Sequence, residues 1–320
     1  MKTEAWIYRQ YGGPEQLSLE ERNLPALKRD QVLVEMAAAS LNDWDDGLLA
    51  GRPFINRVLN GLSRPKTHVL GCDLAGTILE VGPNTQQLKV GDRVFGDLSS
   101  SGFGAFQRKV VVTEKALTQM PVGLSFEQAA ALPQAGMLAF HLLEHTDLKP
   151  GSTVLLNGAG GGVGTFLLPL LRDRDLRVTA VDKREKWEVL TRLGAETCLD
   201  YREIDFTTLP KSFDRILDVM TTHSVADLRK VLAPHGRFIT VGGHMNRLLE
   251  CFLRSLFSRS PKTWQVIALK TNRNLRELAE WVLAGKTECH IDQTFRFEEL
   301  PKAFETYRQG LFCGKLILKS

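Results

Sequence analysis

Cysteine is scarce and long hydrophobic runs are missing from this 320-residue sequence. Its five cysteines are scattered, and none forms the C-x-x-C pair that is typical of zinc sites and redox centres. We therefore expect a reducing compartment, and because the first residues show no signal-peptide pattern, we predict the cytoplasm. No stretch approaches the roughly 18 apolar residues that a membrane-spanning helix needs, so we expect no membrane span.

An excess of charge of one sign is also missing, because the net charge is only +4 and the charged residues are interspersed. A basic surface for nucleic acid is not indicated, and we expect no nucleic-acid partner. Apolar residues make up 43% and charged residues 24% of the chain, which is ordinary for a globular protein and excludes disorder or a fibrous repeat. At about 150 residues per domain, the length predicts two domains.

The pattern of predicted strands and helices changes along the chain. Residues 1–121 contain short β-type runs broken by glycine, proline and asparagine, which predict a mainly antiparallel region. In residues 122–268, apolar runs alternate with helix-length segments, which is typical of a parallel sheet covered on both faces. The sequence pattern of residues 269–320 is closer to that of the first region. The predicted elements are strands at 153–157, 177–181, 215–219, 237–241, 264–269 and 315–319, helices at 166–171, 275–283 and 301–307, and a helix N-cap at Ser125.

A glycine-rich segment joins the predicted strand 153–157 to an apolar helix. It has the spacing A-x-G-x-x-G, the fingerprint of a dinucleotide-binding turn with alanine in the first position. Glycine is needed because a pyrophosphate approaches the backbone N–H groups, and a Cβ atom would hold it away. A tight strand-to-helix turn is the structural alternative, but it would not need four glycines in five positions. The predicted cofactor-binding residues of this turn are Ala159, Gly160, Gly161, Gly162, Val163 and Gly164.

The second predicted strand of this region ends at Asp182, 18 residues beyond Gly164. An acid at this position accepts hydrogen bonds from both ribose hydroxyls of NAD and repels the additional phosphate of NADP. Lys183, Arg184 and Lys186 could pair with that phosphate, although a solvated first helical turn explains them equally well. We therefore predict NAD(P)(H) as the cofactor, with a preference for NAD(H) because of Asp182.

Further motifs are spread along almost the whole chain. They are YGGPE at 11–15, AASLNDWD at 38–45, LGCDLAG at 70–76, VGDRVFG at 90–96, ALPQAG at 131–136, the glycine-rich turn, LGAE at 193–196, DY at 200–201 and GKL at 314–316. With these motifs the chain resembles the quinone oxidoreductase branch of the zinc-independent medium-chain dehydrogenase/reductases. They are highly specific for the superfamily and much less specific for the substrate.

The resemblance implies an α/β fold in which a Rossmann doubly wound parallel sheet, residues 122–268, is inserted in a GroES-like, mainly antiparallel β catalytic domain of residues 1–121 and 269–320. It also implies a nicotinamide held in the cleft. In related zinc alcohol dehydrogenases, the first two positions of the catalytic zinc site correspond here to Asn42 and Cys72, and one thiolate cannot replace three ligands. The four-cysteine lobe for structural zinc is missing as well. We therefore expect hydride transfer without zinc.

The resemblance also assigns residues to the cleft and to the cofactor. It implies that Asn42 and Asp45 lie near the nicotinamide as candidate catalytic residues, while a turn-forming asparagine and a helix-capping aspartate are the structural alternatives. Lys186 and Tyr201 match positions that contact the adenosine end in NADPH-using relatives, with Lys183 beside them. The strand beside the nicotinamide is expected to end at Val241, Gly242 and Gly243, with His244 at the rim of the cleft.

These expectations converge on a zinc-free NAD(P)H-dependent oxidoreductase that transfers hydride to a quinone or an electron-poor enone, a small conjugated carbonyl substrate. One alternative is a 2-alkenal or enoyl reductase, which protonates carbon and would depend on an acid such as Asp45 or Asp73. The other is a non-catalytic NAD(P)-binding protein, as with relatives that serve as lens crystallins or bind RNA. We also expect a homodimer, and we predict that the amphipathic segment 246–259 packs on the cleft or on a second subunit, with a membrane-surface helix as the alternative.

Overall fold

We describe the fold from a computed structural model of the chain, covering residues 1–243, 245–257 and 263–320. The strands are β1 (Lys2–Ile7), β2 (Ser18–Asn23), β3 (Gln31–Ser40), β4 (Asp73–Val81), β5 (Arg93–Asp97), β6 (Lys109–Thr113), β7 (Thr118–Gln119), β8 (Thr153–Asn157), β9 (Arg177–Val181), β10 (Thr197–Leu199), β11 (Phe213–Asp218), β12 (Leu232–Thr240), β13 (Thr263–Val266), β14 (Ile291–Arg296) and β15 (Lys315–Lys319). The α-helices are α1 (Asp43–Ala50), α2 (Phe54–Asn60), α3 (Phe126–Ala131), α4 (Met137–Glu144), α5 (Gly162–Arg172), α6 (Trp187–Leu193), α7 (Val225–Leu228), α8 (Met245–Phe257), α9 (Leu275–Leu283) and α10 (Leu300–Gln309).

A six-stranded parallel sheet has the order β10-β9-β8-β11-β12-β13. The predicted parallel sheet is confirmed, and its strands read as apolar runs because helices cover both faces. The strand order changes direction between β8 and β11. In an open sheet of this kind, a ligand binds beyond the carboxyl ends of the strands at that switch point. The fold therefore directs attention to the residues that follow β8 and β11.

A second, seven-stranded sheet has the order β14-β15-β3-β4-β5-β7, with β6 paired to β3. Its pairs are antiparallel except for β14 and β15, which are parallel and are connected through α10. The last strand, β15, pairs with β3. The carboxyl-terminal segment therefore joins the sheet of the first region, as its sequence pattern predicts. The boundaries at residues 121/122 and 268/269 themselves stay predictions.

A local sequence signal marks the start of α3, while two other predicted boundaries differ from the structure. Ser125 caps α3, because its side chain accepts a hydrogen bond from the backbone N–H of Gln128, whose own side chain closes the capping box. The helix after the glycine-rich turn starts at Gly162, four residues before the predicted start, and the predicted strand at 264–269 ends at Val266. The amphipathic segment forms α8, which contacts β13 and α7, while positions 244 and 258–262 lie outside the described residues.

One apolar core connects the two sheets. Ala38 of β3 and Ala75 of β4 belong to the same buried cluster as Leu156 of β8 and Leu278 of α9. Helix α3 packs against β3 and β4, and α4 packs against α5. The cleft residues and the dinucleotide turn are therefore held by a shared core. Among the described residues, no helix has the length and apolar composition to cross a membrane.

Candidate active site

The glycine-rich turn lies at the switch point of the parallel sheet, directly after β8. The backbone N–H groups of Gly158 and Ala159 donate to the carbonyl of Val181, at 3.0 and 3.3 Å, which ties the turn to the end of β9. Gly158 has a φ of +81°, in the left-handed region that favours glycine. The turn then runs directly into the first residues of α5, whose first N–H groups have no partner within the helix.

Positions 164 and 161 of the fingerprint are occupied by glycine for different physical reasons. A Cβ atom on Gly164 would lie 2.3 Å from the carbonyl oxygen of Ala159, so close packing of helix against strand requires glycine there. A Cβ atom on Gly161 would meet nothing nearer than the carbonyl oxygen of Gly158 at 3.5 Å, and the φ of Gly161 is −84°. The protein itself therefore tolerates a side chain at position 161. The space left open beside Gly161 fits a group that approaches the backbone, as the pyrophosphate of a dinucleotide does.

Asp182 lies beside this turn, and both of its carboxylate oxygens have partners in the protein. Its Oδ2 accepts a hydrogen bond of 2.8 Å from the N–H of Gly160, and its Oδ1 accepts one of 2.8 Å from the N–H of Lys183. The ammonium of Lys186 lies 3.1 Å from the same Oδ1, and both side chains are less than a tenth exposed, at 8% and 9%. The solvated alternative is therefore wrong for Lys186, whose charge is buried against Asp182. It fits Arg184, an exposed residue that pairs with a glutamate.

The other predicted cofactor residues line the neighbouring strand ends. Tyr201 is half exposed on the loop after β10. Val241 and Gly242 follow β12 and are partly buried, and a Cβ atom on Gly242 would meet only the carbonyl oxygen of Val219, at 3.6 Å. Gly243 has a φ of +107°, and a Cβ atom there would lie 2.3 Å from the carbonyl oxygen of Met220. The predicted rim residue His244 lies outside the described residues.

Buried polar groups also connect the ends of the central strands. The amide of Asn157, at the end of β8, donates a hydrogen bond of 2.9 Å to Oδ1 of Asp218, at the end of β11. Burial raises the pKa of Asp218, and the N–H groups of Met220 and Thr221 also donate to it. This pair fixes the relative positions of the two strand ends that flank the switch point.

A cluster of buried polar side chains lies where β3 passes into α1. Asn42 is the N-cap of α1, and its Nδ2 donates a hydrogen bond of 3.0 Å to Oδ2 of Asp73. Its Oδ1 accepts a hydrogen bond of 2.6 Å from the ammonium of Lys315. The side chain of Asn42 is 6% exposed, so its amide is held in one orientation from both ends. The turn-forming alternative accounts for the backbone of Asn42 at the start of the helix. It does not account for the two charged partners of the side chain, Asp73 and Lys315.

Asp45 is fully buried in the first turn of α1. Its Oδ2 accepts a hydrogen bond of 3.0 Å from the N–H of Asn42, and its Oδ1 accepts bonds from the N–H of Gly71, at 3.1 Å, and the thiol of Cys72, at 3.4 Å. Burial, assisted by the charge of Asp73, raises the pKa of Asp45 to about 7. These contacts fit the helix-cap alternative for Asp45, and a direct part in proton transfer stays a prediction.

Asp73 and Lys315 form the centre of this cluster. Asp73 is fully buried, and it accepts hydrogen bonds from the hydroxyl of Ser40, at 2.9 Å, and from the N–H of Gln134, at 3.1 Å. The ammonium of Lys315 lies 3.8 Å from its Oδ2. Burial raises the pKa of Asp73 to about 7, and burial also lowers the pKa of Lys315. Lys315 was not predicted as a site residue, although a lysine that opens an apolar strand was a signal that could have identified it.

Lys315 also connects the polar cluster to the dinucleotide turn. The N–H of the preceding Gly314 donates a hydrogen bond of 3.0 Å to the carbonyl of Gly160. The stem of Lys315 packs on the start of α5, because a Cβ atom on Gly162 would lie 2.7 Å from its Cδ. The predicted catalytic and cofactor residues are thus brought to one place by β15.

Comparisons with known proteins agree with this architecture. Residues 28–122 match the alcohol dehydrogenase GroES-like domain, and residues 193–318 match the zinc-binding dehydrogenase family. The chain is 29% identical to 2-methylene-furan-3-one reductase of Solanum lycopersicum, in an alignment that covers 98% of this chain and 78% of that protein. It is 28% identical to the chloroplastic NADPH-dependent alkenal/one oxidoreductase of Arabidopsis thaliana, covering 98% of this chain and 79% of that protein.

Solved structures show the same fold along the whole chain. A quinone oxidoreductase from Coxiella burnetii matches with a TM-score of 0.88 and 26% identity over 100% of both chains. The Escherichia coli quinone oxidoreductase complexed with NADPH matches with a TM-score of 0.83 and 21% identity, over 99% of this chain and 100% of that one. The predicted α/β fold, a Rossmann-type domain with a GroES-like domain, is confirmed. The domain families and the relatives together show that the chain is an oxidoreductase of the medium-chain dehydrogenase/reductase superfamily.

Proposed function

We propose that the chain is an NAD(P)H-dependent reductase of quinones or electron-poor enones. The observation that carries the proposal is the junction at β15, where Gly314 pairs with the dinucleotide turn and Lys315 holds the polar cluster of Asn42 and Asp73. The relatives support the substrate class, since their names include an alkenal/one oxidoreductase and quinone oxidoreductases. The substrate is accordingly a small conjugated carbonyl compound.

The residues of the chain would bind and orient the reactants. When bound, the reduced nicotinamide supplies the hydride. The open space beside Gly161 in the turn leaves room for the pyrophosphate, and the partly buried Gly242 leaves room beside the strand ends. The shared apolar core keeps the cleft rigid, which favours positioning as the main contribution of the protein.

The source of the proton distinguishes the two candidate reactions. Reduction of a quinone needs no essential acid on the protein, whereas reduction of an alkenal or enoyl substrate requires protonation of carbon. Asp45 and Asp73 are each fully buried, and both oxygens of each carboxylate accept hydrogen bonds. This burial favours a proton from water. The enoyl or alkenal reductase therefore stays the second candidate, supported by relatives that are named alkenal/one oxidoreductase and trans-enoyl reductase.

We propose that the reaction proceeds without zinc. A catalytic zinc site uses three protein ligands, and the two positions noted above hold the amide of Asn42 and the thiol of Cys72. Burial raises the pKa of Cys72 well above its usual value, and the thiol already donates to Asp45. The ammonium of Lys315 also bonds to the amide oxygen of Asn42. This donor set does not fit zinc, because a thiolate is the form that binds the metal.

The cofactor preference is part of the same proposal. The carboxylate of Asp182 faces Gly160 and supports NAD(H), while the partner Lys186 offsets part of its charge. The Arabidopsis thaliana relative is named as NADPH-dependent, so both dinucleotides belong in any test. We propose that both bind and that NADH binds more tightly.

The cellular compartment and the oligomeric state of the protein stay predictions. All five cysteines are free thiols, which supports a reducing compartment, and we keep the cytoplasm as the prediction. A homodimer is likewise expected. A non-catalytic NAD(P)-binding role is the remaining alternative, and the retained glycine turn does not distinguish it from an enzyme.

Steady-state oxidation of NADH and of NADPH, measured against a panel of quinones, 2-alkenals and saturated aldehydes, tests the proposal. We expect turnover with quinones or enones and none with saturated aldehydes. Turnover confined to alkenals would support the second candidate. Binding of either dinucleotide without turnover of any substrate would instead support the non-catalytic role.

A further inference from the structure

The segment between α1 and β4 exposes an unusual set of apolar side chains. Within residues 52–66, which we call the 52–66 surface, five large apolar side chains are exposed by 39% to 72%. They are Phe54, Ile55, Val58, Leu59 and Leu62. Single exposed apolar residues are common, but a cluster of this size on a short segment marks a contact surface.

Helix α2 exposes its apolar side chains and buries a polar one, which is the reverse of a helix that packs on a core. Asn60 is its buried residue, at 8% exposure, and its amide donates to the hydroxyl of Tyr8 at 3.0 Å and accepts from the N–H of Thr67 at 2.9 Å. The apolar side chains of the same helix face outward. The arrangement is held by the hydroxyl of Tyr11, which donates a hydrogen bond of 2.6 Å to the carbonyl of Gly61. The apolar face is therefore presented by a fixed scaffold.

The charge of this segment has one sign. Between Asp46 and Asp73 the sequence contains no acidic residue, whereas it contains the four cations Arg52, Arg57, Arg64 and Lys66. Arg52, Arg64 and Lys66 are exposed. The partner of the 52–66 surface must therefore accept apolar side chains and carry negative charge.

We propose that the 52–66 surface attaches the protein peripherally to an anionic lipid bilayer. Aromatic and aliphatic side chains enter the boundary between headgroups and acyl chains, and flanking arginine and lysine side chains bind anionic headgroups. A second copy of the chain fits less well, because a two-fold interface would oppose this cationic surface to itself. The surface follows α1, whose N-cap is Asn42 and whose first turn carries Asp45, so attachment would hold the candidate cleft near the membrane. This inference does not depend on the reaction proposed above.

Vesicle binding tests the proposal directly. The intact protein is sedimented with vesicles of phosphatidylcholine alone and with vesicles of phosphatidylcholine mixed with phosphatidylglycerol, at low and at physiological salt. We expect binding to the mixed vesicles that weakens with salt, because exposed charges are screened. The variant Phe54→Ser/Leu59→Ser should lose at least about tenfold in affinity. The variant Arg52→Gln/Arg64→Gln/Lys66→Gln should lose roughly a hundredfold.

Matched controls separate this surface from general effects. Val90→Ser/Val122→Ser removes two other exposed apolar side chains, at 59% and 96% exposure, and should leave vesicle binding unchanged. Lys28→Gln/Arg29→Gln/Lys115→Gln removes three other exposed cations and should change it little. Because all substituted side chains of the two test variants are exposed, their thermal unfolding should match the wild type.

Three results would overturn the proposal. The first is no sedimentation of the folded wild type with anionic vesicles. The second is equal loss in the test and control variants. The third is a wild-type dimer, seen by light scattering, that Phe54→Ser/Leu59→Ser converts to a monomer without any vesicle binding, since the surface would then contact a second copy.

Discussion

Lys315 donates a hydrogen bond of 2.6 Å to the side-chain oxygen of Asn42, across 273 positions of sequence. The same ammonium lies 3.8 Å from Asp73, and the preceding residue, Gly314, bonds to the dinucleotide turn. One buried lysine thereby sets the orientation of a candidate cleft amide and balances a buried carboxylate. Its side chain is 3% exposed, so no solvent replaces these contacts if it is removed.

The variant Lys315→Met should be strongly destabilised. It keeps an unbranched side chain in the packed position but leaves the buried amide oxygen of Asn42 and the carbonyl of Leu41 without their donor, at about 1–3 kcal/mol for each unsatisfied group. Urea unfolding at neutral pH measures the loss. Lys319→Met, on the same strand but with an exposed ion pair to Glu127, should lose at most about 1 kcal/mol. Similar losses in both variants would contradict a special role for the buried lysine.

The free energy of unfolding should fall as pH rises from about 5 to about 7. Burial raises the pKa of Asp45 and of Asp73 from 3.8 to about 7, so in this range the folded state binds protons that the unfolded state has released. Each carboxyl contributes at most about 1.4 kcal/mol per pH unit. The variant Asp73→Asn should therefore show a shallower slope between about pH 5 and 6, while Asp30→Asn, at an exposed position, should keep the wild-type slope. A flat wild-type profile would show that neither carboxyl is protonated when folded.

Local patterns predicted much of the fold. The N-cap at Ser125, the period of α9 and the glycine-rich turn are each encoded within a few residues, so a single sequence reveals them. The burial of Lys186 and the bond between Lys315 and Asn42 were not predictable in this way. Both depend on how separate elements pack, because a charged residue is buried only where a distant partner compensates it. Motifs could thus identify the candidate residues, whereas the partners of these residues could be identified only from the structure.

Substitution of Gly161 should separate cofactor binding from folding. In Gly161→Val the new side chain enters open space, so the melting temperature should stay near that of the wild type, while the branched side chain blocks the approach of the pyrophosphate. Calorimetric titration with NADH and NADPH should show no binding. Gly164→Ala is the matched control, because its Cβ would meet the carbonyl oxygen of Ala159 at 2.3 Å and should cost about 1–3 kcal/mol in stability. Undiminished cofactor affinity in Gly161→Val would mean that the turn is only structural.

Elemental analysis should find no stoichiometric zinc in the purified protein. The amide of Asn42 and the high-pKa thiol of Cys72 are poor zinc donors, and the ammonium of Lys315 repels a cation at the same place. Dialysis against a chelator should leave activity and stability unchanged. One tightly held zinc per chain, lost together with activity, would reopen alcohol oxidation as the reaction.

Asp182 should decide the choice of dinucleotide. Two unit charges 4 Å apart interact by about 4 kcal/mol at an effective dielectric constant of 20, so a 2′-phosphate next to this carboxylate is unfavourable. Lys186, 3.1 Å from Asp182, reduces the repulsion, because its charge is held against the same carboxylate. We therefore expect the wild type to bind NADH about tenfold to a hundredfold more tightly than NADPH.

Asp182→Ser should reverse that order, because it removes the repulsion and releases the buried ammonium of Lys186 to pair with the phosphate. The measurement is the pair of Kd values for NADH and NADPH, at low and at physiological salt. Glu185→Ser removes a neighbouring exposed acid and should leave the preference unchanged, which separates a contact from a change in net charge. If the wild type already prefers NADPH, then Asp182 and Lys186 must separate when the cofactor binds, with Lys186 and Tyr201 forming the phosphate site.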